Sequence, residues 1–195
     1  MSKGTETREA VLDTASRLAR TVGLGGLTIG TLATRAELSK SGLYAHFRSK
    51  ESLQLAILEH ERTRIVAEVM APSLSVARGE PRIRALFENW LAWDGKEGGC
   101  LFVAASSELD DQPGGPVRDF LVGVQQDWLD SLAEVFRTGV ATGQFRRDVD
   151  PEQFAFEEDG VMLSHHMSSR LLGDTLSADR ARRAFEALLD RARTQ

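Results

Sequence analysis

The stretch LTIGTLATRAELSKSGLYAHFRSKESL, residues 27–53, constrains this chain more than any other, because three helix-capping positions follow one another there at short intervals. Thr28 is an N-cap, and Ile29, Leu32, Ala33 and Ala36 then recur on one face at helical spacing, so the first short helix has a single apolar stripe to bury. Glu37 and Leu38 make a turn. Ser39 caps a second short helix, in which Leu43 and Phe47 point inward while Lys40, Ser41, Gly42, Tyr44 and Ala45 lie toward the other side. Ser49 caps a longer helix, with Lys50 and Glu51 in its first turn and Leu53, Ile57 and Leu58 opening its apolar pattern. Two short helices across a sharp turn, the second with a cation, a phenol and small polar groups on its outer face, read as a helix-turn-helix with its recognition helix in view.

The helical period continues on both sides. Residues 6–22 place Val11, Ala15, Leu18 and Val22 at helical spacing, and Gly23 ends that helix. Residues 1–47 then form a three-helix unit whose expected core is Leu18, Val22, Ile29, Leu32, Leu43 and Phe47, too thin to be very stable alone. A helix over 49–70 follows, and Pro72 stands after it as punctuation. Ile83, Leu86, Phe87, Trp90 and Leu91 mark the next helix, Gly98 and Gly99 break it, and residues 100–109 (CLFVAASSEL) suit a short buried one. Pro116 opens a long helix ended by Gly139 and Gly143, Asp150 with Pro151 opens another, and Ser177 caps the last, striped by Ala181, Ala184, Phe185, Leu188 and Ala192. With no strand alternation, internal repeat or low-complexity tract, the expected fold is all-α with about nine helices.

Composition narrows the setting. The lone Cys100 excludes an internal disulfide, no apolar run reaches membrane-spanning length, and the N-terminal residues are polar, so a cytoplasmic protein without a membrane partner is expected. The net charge of −5 does not argue against nucleic acid, because residues 1–60 carry eight Lys/Arg against six Asp/Glu. Within 26–50, Arg35, Lys40, Arg48 and Lys50 face Glu37 alone. A local cationic face on an acidic body still finds phosphate, since counterion release depends on the contacts made.

Ser39, Gly42, Tyr44, His46, Phe47 and Lys50, at this spacing and with no gap, resemble the N-terminal domain of the TetR family of transcriptional regulators. The resemblance implies a helix-turn-helix DNA-binding domain over 1–48 and a larger helical regulatory domain over 49–195 that binds ligand and dimerises. GGCLFVAASSELDDQPGGPVRDF and GQFRRDVDPEQFAF look like the regulatory domain of one subgroup. The last two long helices, near 151–172 and 177–193, are implied to pack as an intermolecular four-helix bundle, with Phe154, Val161, Met162, His165, Phe185 and Leu188 as interface candidates. Two departures stand out. Glu37 occupies a turn position where the family mostly carries Gly, which predicts strain of about 1 kcal/mol or a different turn, and an anion near the DNA face. Glu157, Glu158 and Asp159 interrupt a segment that is mostly apolar in relatives.

On this reading Tyr44, His46 and Lys50 contact phosphate and fix the register of the recognition helix, joined by the hydroxyl of Thr28. Ser39 caps that helix, Lys40 reaches guanine acceptors, Ser41 either base type, Ala45 or Leu43 a thymine methyl, and Gly42 lets the helix approach the backbone. Phe87, Trp90, Trp93, Phe102 and Trp128, with His165 and His166, are the candidates for an effector cavity, against the plain alternative that an aromatic stripe is core. Adjacent histidines lack the spacing of a metal pair, so no metal or cofactor is expected. The chain has no nucleophile elbow, phosphate loop or H-E-x-x-H, which argues against an enzyme. The expected partners are a palindromic double-stranded operator, a second copy of the chain and a small-molecule effector that releases DNA. The alternative is an all-helical small-molecule binding protein whose DNA affinity is weak or lost.

Overall fold

The computed structural model describes residues 3–36 and 39–194, with side chains from residue 8 onward. Glu37 and Leu38, and with them the expectation of a strained turn beside the DNA face, lie outside the described residues. The elements are α1 (Lys3–Val22), α2 (Ile29–Arg35), α3 (Lys40–His46), α4 (Lys50–Ile65), a π-helical turn (Val66–Met70), α5 (Ala71–Ser75), α6 (Glu80–Asp94), α7 (Leu101–Leu109), α8 (Pro116–Ala141), α9 (Pro151–Arg170) and α10 (Ser177–Ala192). Since α4, the π turn and α5 follow without a break, the described residues make nine helical rods, and no strand is present among them beyond an isolated bridge between Phe145 and Arg193.

The capping signals hold where they are local. Thr28 and Thr31 form a reciprocal capping box, Ser39 Oγ accepts from the Gly42 amide at 3.0 Å, Ser49 and Ser52 exchange bonds at 3.0 Å, and Asp150 accepts from the Glu152 amide at 3.0 Å. Three punctuation marks fall differently. Pro72 lies inside a continuous rod: the π turn shifts the Ala71 amide onto the Val66 carbonyl, and Ser73 Oγ donates to the Val69 carbonyl at 2.6 Å, so the backbone goes around the ring that an α-helix cannot hold. Ser177 is the first residue of α10 rather than its cap, and Asp174 Oδ1 instead accepts from the Leu176 amide. α8 continues through Gly139 to Ala141, with Gly143 at φ +77° just past its end, and Gly139 makes room for a ring. A Cβ there would collide with Phe145, which stacks on Phe136 at 4.8 Å.

The chain packs as two compact units, Met1–Arg64 with Lys96–Val124, and Ile65–Gly95 with Gln125–Gln195. In the first, Val11, Leu12, Ala15, Ala19, Leu24, Leu27, Leu32, Leu43, Phe47, Leu53, Ile57 and Leu58 are buried. The expected core was turned by about one position on α1, since Leu18 is half-buried and Val22 exposed. The cause is polar. Glu61 of α4 is fully buried and receives Ser16 Oγ, the Arg20 guanidinium and Arg64 Nη1, so α1 points Ser16 and Arg20 inward as a charge-assisted seam. In the second unit, Phe87 stacks on Phe185 at 4.0 Å, and Phe154 on Phe136 at 4.2 Å, which ties α9 and α10 to α6 and α8.

Candidate nucleic-acid interface and effector site

α3 is only seven residues long, too short to persist by propensity, and it is held by Leu43 and Phe47, both buried. Those two anchors decide what the other face shows. Ser39, Lys40, Ser41, Tyr44 and Ala45 are exposed, with Gly42 and His46 partly so, and Tyr44 keeps 55% of its surface in solvent. Leu43, with no exposed surface, is a core residue and has nothing to offer a thymine methyl. Gly42 sits close over its own cap, where an added Cβ would lie 3.2 Å from Ser39 Oγ. The Thr28 hydroxyl oxygen accepts the Thr31 amide in the capping box, which leaves its proton to donate, and the end of the Lys40 side chain lies over Gly30.

The turn ahead of α2 is a junction that sequence reasoning missed. Glu108 of α7 accepts the amides of Leu24 at 2.9 Å and Gly25 at 2.6 Å. The carbonyls of the same two residues take donors from α4, Gln54 Nε2 on Leu24 at 3.0 Å and Lys50 Nζ on Gly25. Gly23 permits this with φ +80°, and a Cβ on it would run into the Glu108 carboxyl. Lys50, expected on phosphate, thus also ties the start of α4 to the turn.

The expected effector residues separate. Phe102 is buried in the first unit, while Phe87, Trp90, Trp93, Trp128, His165 and His166 belong to the second. Phe87 is taken up by its stack on Phe185. Trp90, His165, His166 and Asp94 do converge: His166 Nδ1 lies 2.6 Å from Asp94 Oδ1, His165 Nε2 3.7 Å from Oδ2, and the His165 ring meets Trp90 edge-on. Trp128 Nε1 donates to Asp159 Oδ1 at 3.1 Å. Burial pushes the carboxyls of Asp159 and, far more, Glu158 above their ordinary range.

The expected interface residues divide between the core and the surface of their unit. Phe154, Met162 and Phe185 are buried inside their own unit, Phe154 and Phe185 in aromatic stacks, so they face the core, while Leu188, also buried, lines the groove between α9 and α10. The outward stripe of α9 is Phe156, Leu163 and Met167, continued by the C-cap residue Leu171, all exposed. Beside it a groove of about 530 Å³ runs between α9 and α10, floored by small residues including Gly160, Ser164, Ala184 and Ala187, and touched by Val161 and His165.

Residues 11–57 match the family model described as bacterial regulatory proteins, tetR family, and residues 79–185 match that of the tetracyclin repressor-like C-terminal domain. The chain belongs to the TetR family. The transcriptional repressor NemR of Escherichia coli (strain K12) is 34% identical over 122 residues, which is 57% of this chain and 59% of NemR, so the match spans little more than half of that relative. A TetR-family regulator from Chloroflexus aurantiacus J-10-FL superposes with a TM-score of 0.83 at 28% identity, covering 97% of this chain and 96% of that one. AibR, solved with isovaleryl coenzyme A and operator DNA, shares the fold with a TM-score of 0.70 at 24% identity, covering 93% and 96%. Among the described residues of this TetR-family chain, no helix is long and apolar enough to cross a membrane.

Proposed function

We propose that this chain is a cytoplasmic, ligand-responsive transcriptional repressor that binds a palindromic operator as a homodimer. The observation that carries the reading is Tyr44, a large aromatic left 55% exposed on a seven-residue helix whose inner face is anchored by Leu43 and Phe47. A phenol held out beside Lys40 and Ser41 is suited to phosphate oxygens and base edges, and α3 is the element that enters the major groove. Residues 1–48 serve as the DNA-binding part and 49–195 as the regulatory part. Thr28, Ser39, Lys40, Ser41, Gly42, Tyr44, Ala45, His46 and Lys50 form the contact surface. The apolar stripe of α9 and its groove are covered by α9 and α10 of a second copy, which sets two α3 helices about 34–36 Å apart, one turn of duplex. A small molecule that binds better to the body in another spacing releases the operator by population shift.

The test is a mobility shift on the DNA upstream of the protein's own gene. Tyr44→Ala and Lys40→Ala should each weaken binding about tenfold, as loss of a contact of about 1–3 kcal/mol implies, with the Lys40 variant also showing a shallower salt dependence. Both variants binding as tightly as the parent would remove α3 as the reading head.

A further inference from the structure

The inner face of α9 carries more ionisable groups than packing calls for. Phe154, Ala155, Glu158, Met162 and His165 point into the second unit, and the flanking Asp159 and His166 are drawn in by Trp128 of α8 and Asp94 of α6. Three carboxyls and two imidazoles therefore gather along about two turns of one helix. Asp94, Asp159 and His166 have partners at hydrogen-bonding distance, and His165 lies beside Asp94. Glu158 has none: it is 1% exposed, and neither carboxyl oxygen receives a hydrogen bond. The Nδ1 of His165, two turns along the same face, is also buried without a partner. A buried carboxyl lacking donors weakens a fold, and a Leu or Met of similar size would pack there without that penalty. The residue is accounted for by something that arrives with donors.

We propose that Glu158 is the recognition group for an organic cation bearing N–H donors, a protonated amine carried on an apolar or aromatic body, bound inside the second unit. The inference rests on the reading of that unit as the effector-binding part. A primary ammonium supplies the donors that both oxygens lack, and its charge is matched by Glu158, with Asp159 adding a second carboxyl close by. Trp128, which donates to Asp159, and Trp90, which meets His165, supply aromatic surface along the cluster for the apolar body. An anionic ligand would bring acceptors where Glu158 needs donors, and a neutral alcohol would leave one oxygen unserved. Burial keeps the empty carboxyl protonated more readily than usual, so an arriving ammonium converts it to carboxylate and a proton leaves to solvent.

The experiment is calorimetry on the full chain with a panel of primary amines, butylamine, phenethylamine and tryptamine, each beside its alcohol and its carboxylate. The expected result is at least one amine bound tenfold or more tightly than its alcohol, with proton release seen as a buffer-dependent enthalpy, and no carboxylate bound. Glu158→Gln should lose that preference while keeping the parent's circular dichroism. The proton release is read on the unmodified protein, so it holds even if the variant misfolds. Amines bound no better than their alcohols, or bound by Glu158→Gln as by the parent, would overturn the assignment. Operator release is scored separately by mobility shift: an amine that binds through Glu158 and leaves the DNA complex intact upholds the site and counts against ligand-driven release.

Discussion

Glu108→Ala is the most informative single change in the first unit, because it removes one carboxylate and strands two amides. The carboxylate accepts from Leu24 at 2.9 Å and from Gly25 at 2.6 Å. Bonds to a charged group contribute about 1.5–3 kcal/mol each when desolvated. Leu24 is buried, so its amide finds no water and the low end of that range applies; Gly25 is exposed, and water replaces most of its bond. The sum is about 2 kcal/mol, and for a chain of this size each 1 kcal/mol moves Tm by about 2–4 °C, which gives a drop of about 4–8 °C. Glu108→Gln keeps an acceptor oxygen and should lose about half as much. Operator affinity should fall with it, since the same turn receives Lys50 and Gln54 and precedes the capped start of α2. Calorimetric melting of parent and variants decides the matter: a Glu108→Ala chain melting within about 1 °C of the parent would refute the junction as a source of order.

Thr28→Ala removes the capping box of α2 and should cost about 1 kcal/mol, read as a lower urea midpoint with an unchanged slope. Leu163→Glu or Met167→Glu, on the exposed stripe of α9, should give a single-chain species in sedimentation velocity without loss of helical signal; a dimer surviving both changes would place the contact elsewhere. Glu158→Met should stabilise the chain, and the gain should depend on pH. The folded-state pKa of Glu158 is raised above the ordinary 4.5 by burial and then by Asp159, so the folded state holds its proton more tightly, and the parent loses stability as pH rises past that value. The Met variant's advantage in Tm should therefore be larger at pH 7 than at pH 4, and an advantage independent of pH would contradict a buried, strained carboxyl.

What could be read in the sequence was what depends on near neighbours. Thr28, Ser39, Ser49 and Asp150 cap their helices through bonds spanning two or three residues, and the pattern that showed α3 and its anchors Leu43 and Phe47 lies within a single turn. What misled was polarity placed inside. Ser16 and Arg20 break the apolar stripe of α1 because their partner, Glu61, comes from α4, 41 residues after Arg20, and periodicity has no means of pairing them. The same inversion hid the true faces of α9, where Glu158 occupies a core position while Phe156 and Met167 stand outside. Glu108 was out of reach altogether, since 84 residues separate it from Leu24. Pro72 was read as a boundary because the extra hydrogen-bond span of a π turn leaves no mark in composition.

Gly139 and Phe145 restrict how this chain can change over time. The ring fills the space where a methyl on residue 139 would stand, and it is itself clamped against Phe136 and Phe154. Drift at either site alone therefore meets a clash or a void. Lineages that carry Ala at 139 should carry a smaller residue at 145, with a bulkier neighbour taking up the slack, so these positions are expected to evolve as a linked set rather than one by one.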